Sequence, residues 1–196
     1  MKRFKCVLLL FSFMGLMLVG CSDQSESPVS PSDQASIQKV ATREFSGTNN
    51  PTGITINPEI RKYPDGKILF YKYVGETEFA VNFPDGGLDI MSGAGVVEIN
   101  GITDLSTMIG QWHGKFTLTP NANAGGGIWE STWIGTSTFA LDAYNGTPGW
   151  LLPLTEQGHG EGGSINGMQC RYMVTVHANP EFTSYYTEVE GVVISH

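Results

Sequence analysis

The sequence predicts an all-β fold: one small antiparallel barrel of about eight meander-connected strands, with a β-sandwich as the alternative. Three observations carry this. Apolar and polar residues alternate with period two through most of the chain beyond residue 66, as half-buried antiparallel strands require. Asp-Gly and Asn-Gly pairs, which reach positive φ cheaply, punctuate those runs. Glycines also fall inside the runs, where they mark the bends and bulges that curl a sheet toward closure.

Turns come first in that reading. Pro64-Asp65-Gly66, Pro84-Asp85-Gly86, Asn100-Gly101, Asn145-Gly146 and Asn166-Gly167 are each read as a turn. The two Pro-Asp-Gly turns stand 20 residues apart, room for two strands and a further turn around Gly75-Glu76. Between them Lys67–Val74 reads as strand, and Thr77, Phe79, Val81 and Phe83 share one face of the next. Ile102–Ile109 is the one stretch read as a short helix, from its Asp104-Leu-Ser-Thr start. Phe116 and Leu118 share a face within His113–Thr119. Met168, Cys170, Tyr172, Val174 and Val176 share another, opposite Gln169, Arg171 and Thr175. Tyr185, Thr187, Val189 and Val193 alternate with Glu188 and Glu190 near the end. Runs at such spacing read as a barrel or sandwich.

The first twenty residues follow another logic. Lys2, Arg3 and Lys5 precede a 14-residue apolar run, Cys6–Val19, broken only by Ser12 and Gly15. A positive start, a short apolar stretch and a small residue before the cut describe an export signal. As a helix the run reaches about 21 Å, short of a hydrocarbon core of about 30 Å. Its ending, Leu18-Val19-Gly20-Cys21, resembles the lipobox of bacterial lipoproteins. The resemblance implies cleavage after Gly20 and lipid on Cys21, hence a membrane attachment; an ordinary secretory signal with a chance cysteine is the alternative. Ser22 follows, with Asp23 one place later, which by the enterobacterial sorting pattern implies the outer membrane.

Residues 21–42 hold the lipid site and a Ser/Pro-rich stretch. Ser22, Ser25, Ser27, Ser30, Ser32 and Ser36 with Pro28 and Pro31 cannot bury enough surface to offset ordering entropy. This reads as a tether spanning about 25 Å. Residues 43–196 are then the folded domain, 154 residues, of which 31 are Gly or Pro.

Composition narrows function. Without residues 1–20 the chain has 8 basic against 19 acidic side chains, a net of −11. Beyond Lys72 only Lys115 and Arg171 are basic, against 13 acids. Nucleic acid needs the opposite balance, and anionic headgroups would be repelled. With Cys6 in the signal and Cys21 carrying lipid, Cys170 has no partner for an intrachain disulfide; in an alternating apolar run it reads as core.

Candidate chemistry is sparse. Gly158-x-Gly160-x-x-Gly163 has the form of a dinucleotide fingerprint but runs into a turn at Ser164–Gly167, where a phosphate-binding helix would have to begin. No nucleophile elbow and no Ser/His/Asp set emerges. Among His113, His159, His177 and His196, only His159 has a nearby ligand type, Glu161, on the same strand face. The pair reads as an acid/base couple, as half a metal site, or as a solvated rim; no metal or cofactor is assigned. Trp129 and Trp133 share a face and could stack on sugar, line a cavity or fill the core.

The stretches Gly127–Gly135 and Gly158–Gly167 look like the glycine-and-aromatic strands of calycin-like barrels, with allene oxide cyclase-like bacterial proteins the nearest comparison. That resemblance implies a small apolar molecule held at the barrel mouth, with no catalytic residue matched. The expectation is a membrane-anchored lipoprotein, more a binder than an enzyme, whose barrel takes a small apolar ligand or an envelope partner. His159, Glu161, Trp129, Trp133 and Tyr172 are its candidate ligand-binding residues. The alternatives are an isomerase or lyase at the mouth using His159 and Glu161, and a glycan-binding module using Trp129 and Trp133.

Overall fold

The computed structural model describes residues 40–196; the expected signal segment, the expected lipid site at Cys21 and all but the last three residues of the expected tether lie outside them. Nine strands form one antiparallel sheet: β1 (Ala41–Ile56), β2 (Glu59–Lys62), β3 (Lys67–Asn82), β4 (Gly93–Asp104), β5 (Ile109–Pro120), β6 (Ile128–Tyr144), β7 (Thr147–Glu161), β8 (Gln169–Ala178) and β9 (Tyr185–Ser195). Their spatial order is β1-β9-β8-β7-β6-β5-β4-β3-β2. Strand β1 closes the circle, because Ala41–Gly47 pairs with β9 while Ser46–Ile56 pairs with β3. The result is a closed eight-stranded barrel, with the short β2 covering the N-terminal part of β3. Among the described residues every strand but β2 is paired on both sides over at least part of its length, which is how closure removes free sheet edges.

Asn145 and Gly146 take φ of +49° and +73° between β6 and β7, the primed turn that matches strand twist. Gly66, Gly86 and Gly167 also adopt positive φ at their turns. Three expectations are corrected. Gly75-Glu76 is no turn, since β3 runs unbroken through it and Gly75 pairs with both Ile54 and Val97. Asn100-Gly101 lies inside β4. There the Asn100 side chain accepts a hydrogen bond from the Lys72 amide at 3.0 Å. This holds a bulge in β3, where Lys72 has φ +58°.

Gly101 is needed for space instead: a Cβ there would lie 2.6 Å from Cδ2 of Trp112. Ile102–Ile109 forms a β4–β5 hairpin and not a helix. Asp104 accepts from the Ser106 amide at 2.8 Å, an Asx turn that the same residues offer as readily as a helix cap. The only helical pieces among the described residues are single 3₁₀ turns at Ala122–Ala124 and Gly163–Ile165.

Alternation sorts the side chains into an inner and an outer set. One end of the barrel is plugged. The connection between β3 and β4 folds inward with Ile90 and Met91 buried, and Ala124 and Ile165 of the two 3₁₀ turns are buried beside them. Arg43 ties that connection down through Asp85 at 2.7 Å, the Leu88 carbonyl at 3.0 Å and the Phe83 ring at 4.1 Å. Phe45, Phe79, Phe83, Phe116, Leu118, Trp129, Tyr172 and Val193 fill the interior above the plug.

The opposite end is looser. Tyr73, Ile99, Trp112, Leu154, Val176 and Tyr185 are in phase with the inner set yet only half-buried. Over this end lies the β8–β9 loop, Asn179–Ser184. Its Phe182 stacks on Trp150 with centroids 5.6 Å apart and approaches Trp112 at 6.5 Å.

Candidate functional site

Among the described residues one acid is buried in the interior. Glu156 sits on β7 in phase with Trp150, Leu152 and Leu154, and is 3% exposed. Its cross-strand partners are Trp133 on β6 and Tyr172 on β8, both inward. The Ser131 hydroxyl donates to its Oε1, and Tyr172 faces it as its cross-strand partner on β8. Burial lifts the carboxyl to about 7, with the Ser131 and Tyr172 hydroxyls pulling the other way. Burial also pushes the Tyr172 phenol well above its ordinary range and the Cys170 thiol up to about 12, each helped by the charge of Glu156.

Two inward side chains leave a buried polar atom without a protein partner: Thr77 Oγ1 on β3, and Nε1 of Trp133, the β6 partner of Glu156. Native interiors leave few such groups, and an unpaired one costs about 1–3 kcal/mol unless water or a ligand meets it. The interior therefore has a packed aromatic lower part with a polar set at Glu156, and an upper part under Phe182 where half-buried side chains mix with buried Thr103, Ser137, Trp150 and Leu152.

The expected ligand-binding residues distribute unevenly over this architecture. Tyr172 belongs to the interior polar set. Trp129 and Trp133 are 2% and 3% exposed; Trp129 donates its indole hydrogen to the Ile90 carbonyl at 2.9 Å. Neither indole offers a face to a sugar, so the glycan-stacking reading of these two residues is corrected to core.

His159 and Glu161 do come together, Nε2 to Oε1 at 3.0 Å. Both project outward from the C-terminal end of β7, which is the plugged end of the barrel. The isomerase or lyase reading, which puts them at the mouth, is corrected on that geometry. Gly158 and Gly160 belong to the inner phase of the same strand. The Gly-x-Gly-x-x-Gly pattern thus ends in a 3₁₀ turn and offers no helix N-terminus.

His113 and His177 lie elsewhere. His177 bonds the Ala143 carbonyl through Nδ1 and stacks on Tyr186. Glu156 was not singled out from sequence. The available signal was its phase: an acid at an inward position of an alternating strand is out of place unless it is paired.

No family model matches the chain, and no curated protein or solved structure matches it significantly.

Proposed function

We propose that this chain is a membrane-anchored lipoprotein, held by lipid on Cys21 at the outer membrane, whose barrel binds a small apolar molecule through its looser end. The carrying observation is the set of half-buried inner side chains, one from each of six strands, Tyr73, Ile99, Trp112, Leu154, Val176 and Tyr185, above a buried polar set at Glu156. Apolar walls with a few placed polar groups are the usual make-up of small-molecule sites. The eight-stranded closure is consistent with the calycin-like architecture, and barrels of about this strand number hold one small ligand or fill completely. Here the lower part is filled, which limits the ligand to the upper part. The anchor reading rests on Leu18-Val19-Gly20-Cys21 and the preceding apolar run.

Native mass spectrometry of the full chain carrying Cys21→Ala tests the binding reading. Purified without detergent, it is expected to retain a substoichiometric small apolar molecule that a Val176→Trp substitution in the mouth expels. Ligand-free spectra, together with a mouth that takes up no added apolar compound, would remove it.

A further inference from the structure

The outer wall bears a second cluster. Glu130 on β6 and His159 on β7 are direct cross-strand partners, and Glu161 follows two residues later on the same face. All three are exposed, and one ligand atom from each lies within 4.8 Å of the others. Around a tetrahedral ion with bonds of about 2.0–2.2 Å, neighbouring ligand atoms stand roughly 3.4 Å apart. His159 Nε2 and Glu161 Oε1 at 3.0 Å already approach that separation, and rotation of the Glu130 side chain closes the set.

The backbone beneath is regularly paired. The β6–β7 register runs without interruption from Ile128 to Gly135 against Glu161 to Leu154. Glu130 and His159 also line a groove of about 420 Å³ with Glu98, Lys115 and Gln157. Among the described residues Lys115 is the one Lys or Arg lining it, and it is cross-strand to Glu98, which offsets its charge. Three protein donors, one imidazole and two carboxylates, hold a borderline divalent ion and leave a coordination position for water.

We propose that Glu130, His159 and Glu161 form a divalent-cation site on the outer wall of the barrel, taking an ion of the Zn²⁺ class through one imidazole nitrogen and two carboxylate oxygens. The site is independent of the mouth and of any ligand bound there. It needs no change in fold, since all three side chains stand on strands and face solvent.

Calorimetric titration of Zn²⁺ into the full chain, with zinc-edge absorption spectra of the loaded protein, tests it. One ion per chain is expected, with a single imidazole in its first coordination shell. Glu130→Gln, His159→Ala and Glu161→Gln should each weaken binding at least about tenfold while leaving the far-ultraviolet dichroism unchanged. Unchanged affinity in any one of the three variants would overturn the three-residue site, as would a wild-type chain that binds no zinc or a spectrum with two or more imidazoles.

Discussion

Ser131 on β6 donates its hydroxyl hydrogen to the carboxylate of Glu156 on β7, inside a barrel whose neighbouring side chains are aromatic. The two positions are not direct cross-strand partners: Ser131 faces Gly158, and a Cβ at Gly158 would lie 2.6 Å from that of Ser131. The glycine opens the room through which the serine reaches the acid. Ser131 gives the carboxyl one hydrogen bond at the cost of its solvation, and burial wins.

A buried carboxyl raised to about 7 makes stability fall as pH rises. Between the ordinary carboxyl range near 4.5 and about 7, the unfolded chain has lost the proton and the folded chain still holds it. The stabilisation is complete below the unfolded value and gone once pH passes the folded one. Glu156→Gln keeps the shape and removes the titration. It should flatten the pH dependence of the urea midpoint between pH 5 and 7.5 and stabilise the barrel at pH 8 by about 3 kcal/mol. A variant as pH-sensitive as the parent would place the titrating group elsewhere.

Cys170 is 1% exposed and its thiol is pushed up to about 12. The thiolate is the reactive form, so a disulfide reagent such as Ellman's should leave it unlabelled for hours at pH 8 in the native chain and label it at once in urea. Rapid native labelling would mean that β8 opens locally.

Gly114 faces inward on β5, where a Cβ would strike the Glu98 carbonyl and lie 2.5 Å from Cζ2 of Trp133. Gly114→Ala should therefore cost about 1–3 kcal/mol, as overpacked cores do, read from the urea midpoint. Ala at Gly146, where the space is open but φ is +73°, tests backbone strain without any collision and serves as the contrast.

Arg43 beside Asp85 holds that carboxyl down to about 2, with the Gly87 amide assisting. A depressed carboxyl stabilises above the unfolded value near 3.8, and the effect is lost as pH falls through about 2. Carbon-detected titration should find Asp85 in that low range. In Arg43→Ala it should rise toward the ordinary aspartate value; an unmoved titration would assign the depression to the Gly87 amide alone.

The barrel was legible because its determinants are local. Alternation through β5, β8 and β9 names the inner face directly, and Asn145-Gly146 names its turn. Legibility failed where one sequence signal serves two structures. Asn100-Gly101 has turn chemistry, but Asn100 caps a bulge 28 residues away and Gly101 makes room for Trp112. Asp104-Leu-Ser-Thr suits a helix cap and an Asx turn equally, and the β4–β5 pairing decides.

For the site, spacing brought His159 and Glu161 together correctly. It could not add Glu130, whose place beside them depends on β6–β7 register. Glu156 was visible only as an acid in the wrong phase. Whether Trp129 and Trp133 meet solvent or core depends on closure of the whole sheet, which no window of sequence contains.

Occupancy of the barrel mouth is tested most directly by titrating the full chain carrying Cys21→Ala with the apolar fluorophore N-phenyl-1-naphthylamine. The expected result is saturable, one-to-one enhancement with energy transfer from the mouth tryptophans, abolished by Val176→Trp and unaffected by His159→Ala. Enhancement that never saturates, or that survives in Val176→Trp, would contradict a binding site beneath Phe182.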